Sequence, residues 1–175
     1  MEEQSSVRMA WFAPAEFSEQ QNMATWVLRE YLNIRLNDEI RENLGGVYWI
    51  GAGVSITSTP RGEMSMQIGF ACSPLRVQEL SDAVLNLLNE TAAGVVREIF
   101  DNAVLAQHQS WEVFMQSNSS IAGSYANSAV LMNLPLSRLQ RRPQYINAVT
   151  PADIQGIIAR FLQDGPAKVV LFQGQ

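Results

Sequence analysis

Histidine, cysteine and lysine each occur once, as His108, Cys72 and Lys168. A catalytic zinc takes about three protein ligands and an open position. The chain has neither a His-Glu-x-x-His nor a His-x-x-Glu-His motif. Glu112 lies one turn beyond His108, but two candidate ligands on one helix do not make a site, so a packed or exposed helical histidine is expected there. A Ser-His-Asp or Cys-His nucleophile is left with His108 alone as its base. A single cysteine excludes an internal disulfide. Cys72 falls on the apolar phase of its segment, where a buried inert thiol is expected rather than a reactive one. Positive charge is scarce and scattered: 12 Lys+Arg against 17 Asp+Glu give a net −5, with no basic stripe of the kind a polyanion requires. Nucleic acid is therefore not an expected partner. No apolar run approaches the ~20 residues of a membrane span, so none is expected.

What is present is the composition of a globular protein. The 175 residues, 47% of them apolar, suit a single domain spanning residues 1–175 with a proper core. Residues 1–6 are acidic and polar, unlike the basic start and apolar middle of a signal peptide. Strand-like sequence begins almost at once, at Val7. That abrupt start is expected of a piece of a longer chain, a short natural gene being the alternative.

Residues 7–13 read as a strand ended by Pro14. Ser18 and Gln21 have the form of a capping box and open a helix expected to run to about Leu44. Its apolar rows, Met23-Val27-Tyr31-Ile34 and Leu28-Leu32-Leu36-Ile40-Leu44, form a band broad enough for deep burial. Gly45-Gly46 is a suitable stop, because glycine accepts the left-handed conformation at a helix end. Residues 63–72 then alternate strictly, with Met64, Met66, Ile68, Phe70 and Cys72 on one face. Residues 47–57 put Ile50, Ala52, Val54 and Ile56 on one face and Gly51, Gly53, Ser55 and Thr57 on the other. The loop at residues 58–62 joins the two segments as a hairpin. Its polar side is either plain solvent-exposed surface or the wall of a cavity.

Pro74 opens a second helix. A third follows Gly94 and breaks at residues 117–120; helices near residues 121–132 and from Leu136 past Arg142 come next. Thr150-Pro151-Ala152-Asp153 is a strong helix start, and residues 169–172 form a last strand. The order β, α, β-hairpin, several α, β predicts an α+β fold: a mixed, largely antiparallel sheet with helices packed on one face, a two-layer α/β sandwich. Gly45-Gly46 and Gly51-x-Gly53 are not a phosphate cradle, because such loops lead from a strand into a helix and these lead from a helix into a strand.

The stretch L-N-I-R-L-N-D-E-I-R-E-N-L-G-G-V-Y, Leu32 to Tyr48, resembles the C-terminal half of insulinase/pitrilysin-type zinc peptidases. There, a helix with a repeated Arg-Leu-x-x-x-x-Arg pattern runs into Leu-Gly-Gly-Val-Tyr and a strand. F-A-C-S-P-L-R-V-Q-E-L, Phe70 to Leu80, is similar to the family's strand-Cys-x-Pro-x-Arg-Val-x-Glu-Leu helix start. The Thr150-Pro151-Ala152-Asp153-Ile154 start and the closing K-V-V-L-F strand also resemble the family's end. The nearest likeness is to bacterial chains with four such domains in tandem.

The resemblance implies the C-terminal domain of a longer multidomain metallopeptidase that does not bind zinc itself. Zinc is then expected in the N-terminal catalytic half, of the same protein or of a partner subunit, and a peptide substrate is expected between the halves. The family's arginine and tyrosine, seven positions apart, map onto Arg41 and Tyr48 as auxiliary catalytic residues. Arg offers a fixed fork of donors to a substrate carbonyl, and Tyr an O–H to a developing oxyanion. Against that reading, Arg41 suits a surface helix residue paired with Asp38 or Glu42. Tyr48 shares its strand phase with Ile50 and Val54, which buries it unless Gly51 and Gly53, or a bulge just after Gly46, re-aim it. Trp49 stands where the family pattern has a small residue. The alternatives are a catalytically inactive relative serving as scaffold or peptide-binding subunit, and a free-standing binding module. A bacterial periplasmic or envelope location is implied by the resemblance, the cytoplasm being the alternative.

Overall fold

A computed structural model describes residues 4–58, 60–126, 129, 130, 135, 137–163 and 168–173. Four strands form one sheet in the order β2-β3-β1-β4: β1 Ser5–Pro14, β2 Val47–Thr57, β3 Glu63–Cys72 and β4 Lys168–Gln173. Every neighbouring pair is antiparallel. The sheet is thus antiparallel throughout its described residues, within the α+β class that the element order predicts.

The alternation in sequence becomes two chemically different faces. Val7, Met9 and Trp11 of β1 are buried on the same side as Met64, Met66, Ile68 and Phe70 of β3 and Ile50, Val54 and Ile56 of β2. Gln67, Gly53, Ser55 and Phe12 are exposed on the other side. Helix α1, Glu19–Leu36, packs across β2 on the apolar side. The Ser18 hydroxyl accepts from the Gln21 amide at 3.1 Å, as the capping pattern predicts. Around α1 gather α2 (Val77–Ala93), α3 (Arg97–Met115), α4 (Arg138–Asn147) and α5 (Pro151–Leu162). Helix α5 starts with a complete capping box between Thr150 and Asp153. Ser117 breaks the chain after α3 and caps a short turn, Asn118–Ser120, that continues into a π-helical stretch at Ile121–Ala126. Much of the helix expected up to residue 132 lies outside the described residues.

The first helix does reach Leu44, but its last eight residues, Asn37–Leu44, form a π-helix. The wider turn rotates the four-residue row away from the core. Ile40 stays buried, whereas Leu44 is 46% exposed, contrary to the expectation that the whole row packs inward.

Two polar devices tie the helical layer together, and a third ties it to the sheet. Buried Arg35 donates to Glu39 in the π-helical segment, to Glu90 at the end of α2 at 2.9 Å, and to the Tyr31 hydroxyl at 3.3 Å. Tyr31 in turn accepts from the Val96 amide at 3.1 Å. Arg142, next to Pro143 inside α4, lies 4.0 Å from the Trp26 ring centroid and 4.9 Å from that of Trp111. Asn33 of α1 reaches edge strand β2, accepting from Ala52 N–H at 2.8 Å and donating to Ala52 C=O at 3.1 Å.

Candidate functional site

Arg41 and Tyr48 flank the turn between the π-helical segment and β2. Gly45 and Gly46 both have positive φ, 64° and 79°, the conformation expected of a glycine stop. Arg41 lies on the π-helical segment with 53% of its side chain exposed, and its Nε stands 3.9 Å from Glu42 Oε1. An exposed pair at that distance holds the guanidinium only loosely. The segment is anchored one turn earlier, where buried Arg35 holds Glu39. The two arginines of Arg-Leu-x-x-x-x-Arg therefore do different things: Arg35 fixes the helix end inside the protein, and Arg41 faces water.

Tyr48 is placed by a bulge. Val47 is paired with Cys72 and Trp49 with Ala71, so Tyr48 is an extra residue without a partner position in β3. Without it, strict alternation would bury Tyr48 beside Ile50. With it, Val47 packs against the core and Tyr48 is 51% exposed. Trp49 then turns onto the open face of the sheet, where its indole lies across Gly69. A Cβ built on Gly69 would be 2.8 Å from Trp49 Cη2. The large residue at a small-residue position is thus accommodated by a glycine on the neighbouring strand, and the open face gains an aromatic shelf.

The turn has a second support. Arg76 Nη1 donates to the Gly45 carbonyl at 2.8 Å, while Nε and Nη2 bind the Glu79 carboxylate at 2.9 and 2.6 Å. The guanidinium lies against Gly46, leaving no room there for a Cβ. Glu79 is held below the usual carboxylate range, first by its hydrogen bonds from Arg76. Burial pushes the Cys72 thiol up, with the Arg76 charge pulling weakly the other way, so Cys72 is a poor nucleophile. His108 Nε2 lies 2.8 Å from Asn147 Oδ1, an α3–α4 contact. Among the described residues, no group of three or more His, Cys, Asp or Glu is placed to hold a metal ion. A zinc ion does not fit this donor set. No described helix is long and apolar enough to cross a membrane. A cleft lined by Phe17, Gln21, Ser58 and Arg160 sits at the opposite end of the sheet from Tyr48.

Residues 1–106 match the family described as peptidase M16 inactive domain. The chain belongs to the peptidase M16 family. Solved structures agree on the fold. The periplasmic protease PqqL from Escherichia coli superposes with a TM-score of 0.75 at 17% identity, over 98% of this chain and 19% of PqqL. A protease from Helicobacter pylori gives 0.78 at 16% identity, over 97% of this chain and 41% of that one. Pitrilysin gives 0.67 at 13% identity, over 97% of this chain and 18% of its own. The chain therefore spans between about a fifth and two fifths of the length of these peptidases. A comparison with curated proteins found no match. The insulinase/pitrilysin resemblance read from Leu32–Tyr48 is a true family membership.

The contact of Arg76 with the turn, and the Glu79 pairing that holds it there, could not be read from sequence. Both residues belong to the family-like Pro-x-Arg-Val-x-Glu-Leu block, but nothing in the spacing says that this block touches Gly45, 31 positions earlier. The Trp49–Gly69 contact was equally hidden, since it depends on the bulge.

Proposed function

We propose that this chain is the non-zinc-binding domain of an M16 zinc endopeptidase, which closes over a bound peptide and completes a site on the catalytic half. Tyr48 donates its O–H to the oxyanion that forms on the scissile carbonyl, and Arg41 holds a neighbouring substrate carbonyl. The observation that carries this reading is the bulge, which takes a tyrosine out of the core phase of its strand and exposes it across a two-glycine turn from Arg41. Such a disruption of the ladder costs pairing, and bulges gather where a side chain must be re-aimed. The π-helical segment carrying Arg41 is a second departure from regular geometry of the kind found at functional sites. Zinc and the general base come from the other half, either in the same chain or in a partner subunit.

The test is Tyr48→Phe in the complete enzyme. That substitution keeps the ring and removes the proton. A donor acting mainly on the transition state predicts a loss on the order of 10²–10³ in kcat with KM little changed. Arg41→Ala should weaken substrate binding as well, and Arg41→Lys should restore it poorly, because an ammonium does not reproduce the fork. Wild-type turnover in Tyr48→Phe would remove this residue from the mechanism. The alternative, an inactive relative acting as scaffold or peptide-binding subunit, predicts no His-x-x-Glu-His in the remainder of the protein and peptide binding without cleavage.

A further inference from the structure

The geometry points to Arg76 as the positioning residue for Tyr48, acting through the Gly45 carbonyl and locked in place by Glu79. This inference rests on the reading of Tyr48 as the oxyanion donor. Three observations converge on it. The guanidinium spends all three of its nitrogens on two partners: Nε and Nη2 on the Glu79 carboxylate, Nη1 on the Gly45 carbonyl. A bidentate arginine–carboxylate pair fixes the plane of the guanidinium, so Nη1 is aimed rather than merely near. Gly46 packs against the guanidinium without a side chain, and its φ of 79° is one that other residues adopt only at a cost.

The turn so gripped immediately precedes the bulge. Between the Gly45 carbonyl and Tyr48 lie only Gly46 and Val47, and neither glycine offers torsional resistance of its own. Tyr48 sits between the ladder pairs Val47–Cys72 and Trp49–Ala71, and where that bulge begins is set by how the turn before it is held. Arg76 supplies that hold from a different part of the chain, at the start of the helical block that follows β3. Displacing an oxyanion donor by about 1 Å can cost on the order of a hundredfold in rate, so the clamp acts on turnover without touching the substrate.

The experiment is a double-mutant cycle in the complete peptidase, reading kcat and KM on one peptide substrate. Arg76→Met removes the guanidinium and keeps an unbranched side chain of similar reach. It should lower kcat about ten- to a hundredfold with KM moving less than about twofold. In a Tyr48→Phe background the same substitution should lower kcat no further, because there is no donor left to misplace. Glu79→Gln keeps the fold contacts and loosens the lock, and should show a smaller kcat loss that Tyr48→Phe also masks. If Tyr48→Phe impairs turnover while Arg76→Met and Glu79→Gln leave it intact, the clamp is refuted and the reading of Tyr48 stands. Losses at Arg76 and Tyr48 that multiply refute the clamp in the same way. Wild-type turnover in Tyr48→Phe refutes both.

Discussion

Consider alanine at each of the two turn glycines. At Gly45, φ is 64° and ψ −175°, a region almost reserved for glycine, and a Cβ there meets nothing within 4 Å. The cost of Gly45→Ala is therefore backbone strain alone, about 1–3 kcal/mol. At Gly46 the φ of 79° again costs about 1–2 kcal/mol, partly offset by about 0.4–1 kcal/mol because alanine restricts the unfolded chain. A Cβ there also strikes Arg76, approaching Cζ to 2.8 Å. The guanidinium is the end of a flexible side chain and can swing away, but it then gives up its bond to Gly45 and its fit to Glu79. Losing that hydrogen bond from a charged donor adds to the strain. Both variants should thus lose about 1–3 kcal/mol, or roughly 3–10 °C in Tm for a chain of this size. Only one should depend on Arg76. In an Arg76→Ala background the cost of Gly46→Ala should fall, while strain at Gly45 is still present in full. Urea melts of the three single and two double variants measure this directly. An unchanged cost at Gly46 after removal of Arg76 would show that the guanidinium does not press on the turn.

Three further outcomes are expected. Phe70→Ala should cost about 3–5 kcal/mol, since Phe70 is fully buried, whereas Gln67→Ala on the open face should stay within about 0.5 kcal/mol; equal losses in denaturant melts would mean the two faces are misassigned. Tyr31→Phe strands one donor of buried Arg35 and the part-buried Val96 N–H and should cost about 1–3 kcal/mol with no change of fold by circular dichroism; a neutral result would remove Tyr31 from the anchor. The Glu79 carboxyl is held below its unfolded value, so its stabilisation is present above the ordinary glutamate range, near pH 4.3, and is lost as pH falls through the lower folded value; the Tm gap between wild type and Glu79→Gln should be constant near neutrality and vanish in acid, and a gap independent of pH would contradict the pairing.

How far the sequence reveals this molecule depends on the range of the interaction involved. Faces of strands are set by neighbours two residues apart, and Met64 to Phe70 announce theirs without ambiguity. Caps at Ser18 and Thr150 are equally local. The site is harder, because it is built from departures. Four-residue spacing places Leu44 inside, yet eight residues of π-helix turn it out. Alternation places Tyr48 inside, and one inserted residue reverses it. The glycines at 45 and 46 signal that something irregular follows them, but not on which residue the irregularity falls. Arg76 and Glu79 are visible as a pair in helical spacing; their third partner is a carbonyl 31 residues away, and backbone carbonyls leave no mark in a sequence.

Asn33 has a consequence for how the domain behaves among other proteins. An edge strand carries unused backbone donors and acceptors, which invite a strand from another molecule. At Ala52 both are already taken by one side-chain amide, which presents to β2 the same N–H and C=O that a passing peptide would bring. A helix thus terminates the sheet at that point. An extended segment from another molecule, a second copy of the chain included, is denied registration along β2 at Ala52. One asparagine in the middle of a helix thus takes Ala52 out of the row of groups that this edge offers to another molecule.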